Sequence, residues 1–257
     1  MKYKSISMLL MAAGMATSAL GISGENLCTY NDGMFIYEYD NDAPYSARIV
    51  GHVIPNGIKF ETLTIPSSIM TGSRHNMAVT GVDKYALKDI HADKLRFGIH
   101  SSAFLVEEFD CPAMPHVYEI TECRMPEIVP YSFAGMQELE YVNVDARILG
   151  RHAFHNVYKL KYVTLGKWTQ YIGAGCFNDC RQLVEITVLA PKPPEATNES
   201  FGVYPSDLPD VLQPSVRFKP ERCTLKVPKG SANRYKEAAG WNLFKNIEEI
   251  TDPEAGL

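Results

Sequence analysis

Beyond residue 20 the sequence has no apolar run approaching 18 residues, so no later segment reads as a membrane-spanning helix. It has no basic run either. Its 25 Lys and Arg stand against 30 Asp and Glu, a formal charge of −5, which argues against nucleic acid as the main partner. No Gly-x-Ser-x-Gly, His-Glu-x-x-His, phosphate-binding glycine loop or paired-carboxylate motif is present, so an enzyme would need a site assembled in space. No cysteine stands just past the amino-terminal apolar run, where a lipid anchor needs one; the first, Cys28, follows Glu25-Asn26-Leu27. Low complexity is absent too: 46% of the 257 residues are hydrophobic, with 18 Gly and 16 Pro, enough to build a sizeable core.

What is present begins with an address. Met1-Lys-Tyr-Lys4 is basic, Ile6 to Leu20 is an uncharged and mostly apolar run of 15 residues, and Ala19 and Gly21 are small. This three-part layout predicts a signal peptide over residues 1–22. The mature chain is then expected to be secreted, at the cell surface or in the periplasm, without stable insertion in a membrane.

A fixed period follows. Ile128-Val-Pro-Tyr-Ser-Phe133-Ala-Gly-Met136-Gln-Glu-Leu139-Glu-Tyr-Val142-Asn-Val144 aligns with Leu149-Gly-Arg-His-Ala-Phe154-His-Asn-Val157-Tyr-Lys-Leu160-Lys-Tyr-Val163-Thr-Leu165. Both align with Ile172-Gly-Ala-Gly-Cys-Phe177-Asn-Asp-Cys180-Arg-Gln-Leu183-Val-Glu-Ile186-Thr-Val188. The three Phe are 21 and 23 residues apart, and six positions per unit stay apolar while the others vary. Periods of this length predict a solenoid. Each unit supplies one short strand, Leu-x-x-Val-x-Val, whose apolar residues point inward, while the Phe segment turns the chain along the other wall. No unit can bury its apolar face alone, but stacked units can, through a parallel sheet.

Weaker copies extend upstream. Val79 to Leu87 matches the turn half, Leu95-Arg-Phe97-Gly-Ile99 its strand, and Glu61 to Ile65 an earlier strand; Ser101 to Arg124 is irregular, with a strand placed near Val117 to Ile120. Residues 23–56, with Phe35, Tyr37 and Tyr39 alternating and later Ile49 and Val53, read as an amino-terminal β-hairpin cap. Residues 57–190 read as the repeats. Residues 191–222 form a connection with seven Pro that also carries Phe201, Val203, Tyr204, Val211, Leu212 and Phe218. Residues 223–257 hold a final strand and a helical cap: Ser231 fits a helix N-cap before Ala232 to Ala239, Gly240 stops the helix, and Trp241, Phe244 and Ile247 cover the last coil.

The units resemble the BspA-like leucine-rich repeats of bacterial surface proteins, whose pattern runs Ile-Gly-x-x-Ala-Phe-x-x-Cys-x-x-Leu-x-x-Ile-x-Leu-Pro. Ile172-Gly173 through Phe177, Cys180, Leu183 and Ile186 is nearly that pattern, with Cys176 for the usual Ala. The end resembles the family's terminal cap: Cys223-Thr-Leu-Lys-Val-Pro228-Lys-Gly230, then Tyr235, Gly240-Trp241 and Phe244-Lys-Asn-Ile247. The resemblance implies a β-rich right-handed superhelix of short parallel strands, and a secreted or cell-surface adhesion role toward host or neighbouring-cell proteins.

The chemistry-bearing residues read mostly as structural. Cys180 shares its column with Met136 and Val157, and Cys176 with Ala153, so both read as small buried hydrophobes. As a zinc half-site they lack a second half. Cys111 and Cys123 flank the irregular unit, and the sequence leaves the pairing of Cys28, Cys111, Cys123 and Cys223 open. His152 and His155 occupy variable turn positions and read as solvated histidines, since a metal needs three or four ligands. Asn198-Glu-Ser200 fits the glycosylation acceptor pattern, a short match common by chance. No cofactor, metal or catalytic residue is expected.

A ligand is expected on the strand face, with the 191–222 connection, whose apolar residues suit packing on the cap or on a partner, as the second candidate. The outward residues of the strand face form a ladder of Tyr141 and Asn143, Tyr162 and Thr164, Glu185 and Thr187, where two Tyr in register supply rigid amphipathic area. The expected function is protein binding without catalysis. The rivals are a glycan-binding accessory protein and an enzyme whose site assembles in space.

Overall fold

A computed structural model of the protein describes residues 27–40, 46–70, 76–83, 85–98, 114, 116–203 and 218–251. The expected signal over residues 1–22 and Cys111 lie outside these residues. The chain runs through β1 (Leu27–Asn31), β2 (Phe35–Asp40), β3 (Ser46–His52), β4 (Lys59–Ile65), β5 (Ser68–Met70), β6 (Asn76–Val82) and β7 (His91–Phe97). It continues as β8 (Glu119–Ile128), β9 (Tyr141–Leu149), β10 (Tyr162–Leu165), β11 (Tyr171–Ile172) and β12 (Glu185–Val188). After 3-10 turns at Asn198–Phe201 and Pro220–Arg222 come β13 (Thr224–Pro228), the helix α1 (Ala232–Glu237), a further such turn at Trp241–Leu243 and β14 (Asn246–Ile250).

The long sheet follows from period-2 alternation in the repeats. In β10 Tyr162 is exposed, Val163 buried, Thr164 half-buried and Leu165 buried, and β9 and β13 alternate likewise. The strands stack in the order β14-β13-β12-β10-β9-β8-β7-β4, all in parallel register. Each coil also has a second side. β9 runs through a corner, so that Tyr141–Val144 pairs with β10 while Ile148 and Leu149 pair with β11. The third side is the Phe turn, which ladders by backbone hydrogen bonds: Phe133 N–H donates to Ala153, Phe154 N–H to Cys176, and Phe177 N–H to Ser200.

All six recurring positions are buried in all three clean repeats, none more than 5% exposed. The Phe rings form a column along the axis. Phe133 and Phe154 stack at 5.3 Å, Phe154 and Phe177 at 5.7 Å, and Phe177 and Phe201 at 6.2 Å, each pair within 13° of parallel. Edge-on rings close both ends: Phe97 against Phe133 at 6.2 Å, and Trp241 and Phe244 against Phe201 at 5.1 Å each. Coils approach so closely beside this column that a Cβ at Gly173 would lie 2.6 Å from the Arg151 backbone nitrogen, which is why the repeat holds glycine there.

Phe201 thus continues the column, so the turn half of a further coil lies within the Pro-rich stretch. Residues 204–217, including Tyr204, Val211 and Leu212, lie outside the described residues.

The two ends differ from the sequence reading in detail. The hairpin β2–β3 forms, with Phe35, Tyr37, Ala47 and Ile49 buried, but it belongs to a five-stranded sheet ordered β1-β2-β3-β6-β5. Val79 to Val82, read as a turn, lies in β6, because Met77, Val79 and, past a shift in the pairing with β3, Val82 are buried in the same core. At the other end α1 is shorter than expected, and the Ser231 hydroxyl donates to the Pro228 carbonyl instead of capping it. Asn246–Ile250 is a strand parallel to β13.

Removing one ring from the column leaves a cavity between two fixed neighbours. Phe154→Ala should cost about 3–5 kcal/mol, read from urea-unfolding midpoints. The interior cysteines are equally fixed. Burial raises the thiol pKa of Cys123, Cys176 and Cys180, and pushes Cys223 up to about 12. These four should resist alkylation at pH 8 in the native protein, while the half-buried Cys28 reacts; mass spectrometry of iodoacetamide-treated protein, native against denatured, checks this.

Candidate functional site

The strand face brings the predicted ladder together. Tyr141 pairs in register with Tyr162, and Tyr162 with Glu185; one row along, Asn143, Thr164 and Thr187 align in the same way. The two Tyr rings stack at 5.2 Å, 9° from parallel, and remain 41% and 40% exposed. Because the rings stand upright on adjacent strands, one face of each is covered by the other. Asn143 and Thr164 are half-buried. Thr187 is 9% exposed, with its hydroxyl bonded to the Glu185 carboxylate at 3.3 Å. The accessible part of the ladder therefore narrows to the Tyr pair and Glu185.

Ion pairs between neighbouring coils border the pair on both sides. Lys94 meets Glu119 at 2.7 Å, and Lys226 meets Glu185 at 2.8 Å. At the strand entry, Lys161 meets Glu140 at 2.8 Å and Lys159 meets Glu138 at 2.7 Å. Hydrogen bonding to the partner carboxylate raises the pKa of Lys94, Lys161 and Lys226. Such exposed pairs contribute little stability, about 0–1 kcal/mol each, but they fix the pattern of charge around the rings. The cations of this face are held by its own acids.

A second feature lies at the start of the 191–222 connection, the second place where the sequence offers a ligand site. An open pocket of about 410 Å³ lies between the corners of two successive coils. Lys167, Thr169 and Gln170, between β10 and β11, form one wall, and residues 190–195, after β12, form the other. No residue of this wall belongs to the repeating slots except through its backbone, so periodicity carried no signal for it.

The two turn histidines do come together. Their rings lie 5.0 Å apart, His152 stacks on Tyr131 at 5.0 Å, and His155 Nδ1 lies 3.2 Å from the Asn178 amide nitrogen. Gly175 makes room for His152: a Cβ there would sit 2.2 Å from its ring. Neither histidine is fully solvated, contrary to the turn reading, because the next coil packs over them. Among the described residues no three His, Cys, Asp or Glu side chains form a group able to hold a metal.

Burial lowers the pKa of both histidines; His155 and Arg151 push His152 further down, while Asp179 partly offsets the shift at His155. A His with a depressed folded pKa binds fewer protons folded than unfolded, so its contribution is intact above the unfolded pKa of about 6.5 and is lost as pH falls below it. Thermal melting should therefore fall more steeply between pH 7 and pH 5 in the native sequence than in His152→Gln/His155→Asn, and equal slopes would contradict it.

Residues 117–201 match the model of the BspA type leucine rich repeat region, in six copies. No curated protein matches the sequence significantly. The fold resembles that of the pneumococcal vaccine antigen PcpA, with a TM-score of 0.52 at 14% identity over 89% of this chain and 48% of that one. This chain spans about half the length of that antigen. A leucine-rich repeat protein of T. pallidum aligns with a TM-score of 0.38 at 18% identity, over 62% of this chain and 70% of that one. One from Bacteroides ovatus aligns at 0.33 and 13%, over 84% and 75%. Residues 117–201, whose coils build the middle of the long parallel sheet, are thus BspA-type leucine-rich repeats.

Proposed function

We propose that the protein is exported and binds a protein partner, on a host or a neighbouring cell, through the face of the long sheet and without catalysis. The observation that carries this reading is the Tyr141–Tyr162 pair. Two large rings held parallel and 40% exposed in the middle of a strand face cost little further side-chain entropy on binding. Around them Lys94–Glu119 and Lys226–Glu185 form a polar rim of both signs, the layout of a protein interface with an aromatic centre. The family supports the location: the PcpA relative is a vaccine antigen of a bacterium, and no helix among the described residues is long and apolar enough to cross a membrane.

Glycan binding at the same ladder fits less well. A sugar ring stacks on an aromatic face, and each Tyr already spends one face on the other.

Protein and glycan arrays probed with the mature chain test both readings. Protein ligands are expected, and Tyr141→Ala/Tyr162→Ala should weaken the strongest by about 30-fold or more, the loss of about 2 kcal/mol typical of an interface hot spot. If the double variant melts normally and binds every ligand unchanged, the ladder is not the interface. Binding to glycans alone would support the accessory-protein reading instead.

A further inference from the structure

We propose that the pocket between the coil corners binds a carboxylated sugar, independently of the strand face. Two lysines bear on this. Lys167 and Lys192 both line the pocket, both are exposed, and neither has an ion-pair partner among the described residues. That sets them apart from Lys94, Lys159, Lys161 and Lys226, each held by a carboxylate of an adjacent coil. Unpaired lysines lining one concavity suit a carboxylate, which their ammonium groups can meet with charge-assisted hydrogen bonds.

The rest of the lining suits hydroxyl groups. Gln170 offers both a donor and an acceptor, and Glu195, also unpaired, accepts only. The Glu195 carboxylate on the rim disfavours a doubly charged phosphate. Pro191 and Pro193, exposed and half-buried, supply an apolar surface for the C–H side of a sugar ring.

The pocket is also preformed. Pro191, Pro193 and Pro194 fix their own backbone φ angles, and the carboxyl-terminal segment holds the carbonyls of Ala190, Pro191 and Pro194 in place. The buried Tyr235 hydroxyl donates to the Ala190 carbonyl at 2.6 Å, the Arg234 guanidinium to Pro191 at 3.3 Å, and the buried Trp241 indole to Pro194 at 2.7 Å. Across the gap, Glu195 N–H donates to the Gln170 carbonyl at 2.8 Å, tying one wall to the other. A wall fixed in advance loses little freedom when a ligand enters.

Calorimetric titration of the mature chain with galacturonic, glucuronic and N-acetylneuraminic acids, galactose and inorganic phosphate tests the proposal. At least one of the sugar acids should saturate the protein, weaken with added salt, and bind about tenfold or more tighter than galactose. Lys167→Ala/Lys192→Ala should reduce that affinity about tenfold or more while melting normally, since both side chains are exposed. Tyr141→Ala/Tyr162→Ala should leave it unchanged, so failure here and failure of the strand-face reading are separable. The proposal is overturned if no sugar acid binds by about 10 mM, if galactose or phosphate binds as well, if the lysine variant binds normally, or if the tyrosine variant abolishes binding.

Discussion

A coil of this chain cannot close a core on itself, so every coil depends on the one beside it being in register. The Phe column expresses that constraint. Its interior rings lie parallel because successive turns are laddered by backbone hydrogen bonds from Phe133 to Ala153 and from Phe154 to Cys176, which set how far apart the rings can be. The same register places Tyr141 beside Tyr162 outside and Val142 beside Val163 inside. A shift of one residue would exchange the two faces. The surface pattern and the core are therefore one decision, made once per coil.

The repeat was legible because its six apolar slots are side-chain requirements. Where the structure rests on backbone pairing, the sequence was mute. β11 is only Tyr171–Ile172, and its pairing with Ile148 and Leu149 carries no separate signature, since β9 keeps burying residues straight through the corner at Val144, Ala146 and Leu149. β14 shows no apolar alternation: Asn246 to Ile250 pairs through its main chain while its side chains stay largely outside. Phe201 was hidden in a proline-rich context, although its distance from Phe177 fits the period. At the amino-terminal end, Val79 and Val82 satisfied the turn pattern and a strand equally well. The sheet won because β3 offered an unpaired edge alongside.

The same division applies to the candidate sites. The Tyr pair could be read in advance because outward strand residues recur at a known offset from the buried ones. Of the corner pocket only one wall could, as the start of the 191–222 connection. The pocket's two walls are 20 or more residues apart, and the groups that hold one of them, Tyr235, Arg234 and Trp241, belong to the segment after the last clean repeat. That segment therefore acts twice: Trp241 closes the Phe column edge-on, and its indole N–H steadies the pocket wall.

The edge-on rings that end the column have a consequence for how such a chain can change. Phe97 on one side, and Trp241 with Phe244 on the other, are adapted to a terminus, whereas Phe133, Phe154 and Phe177 are interchangeable members of a series. Gain or loss of a whole interior unit would leave both termini with the neighbours they already fit. Gene duplication of a single repeat is thus a nearly neutral event for folding, while it adds or removes a full row of outward residues. The fold lets the area offered to a partner vary in whole steps, with recognition free to diverge row by row.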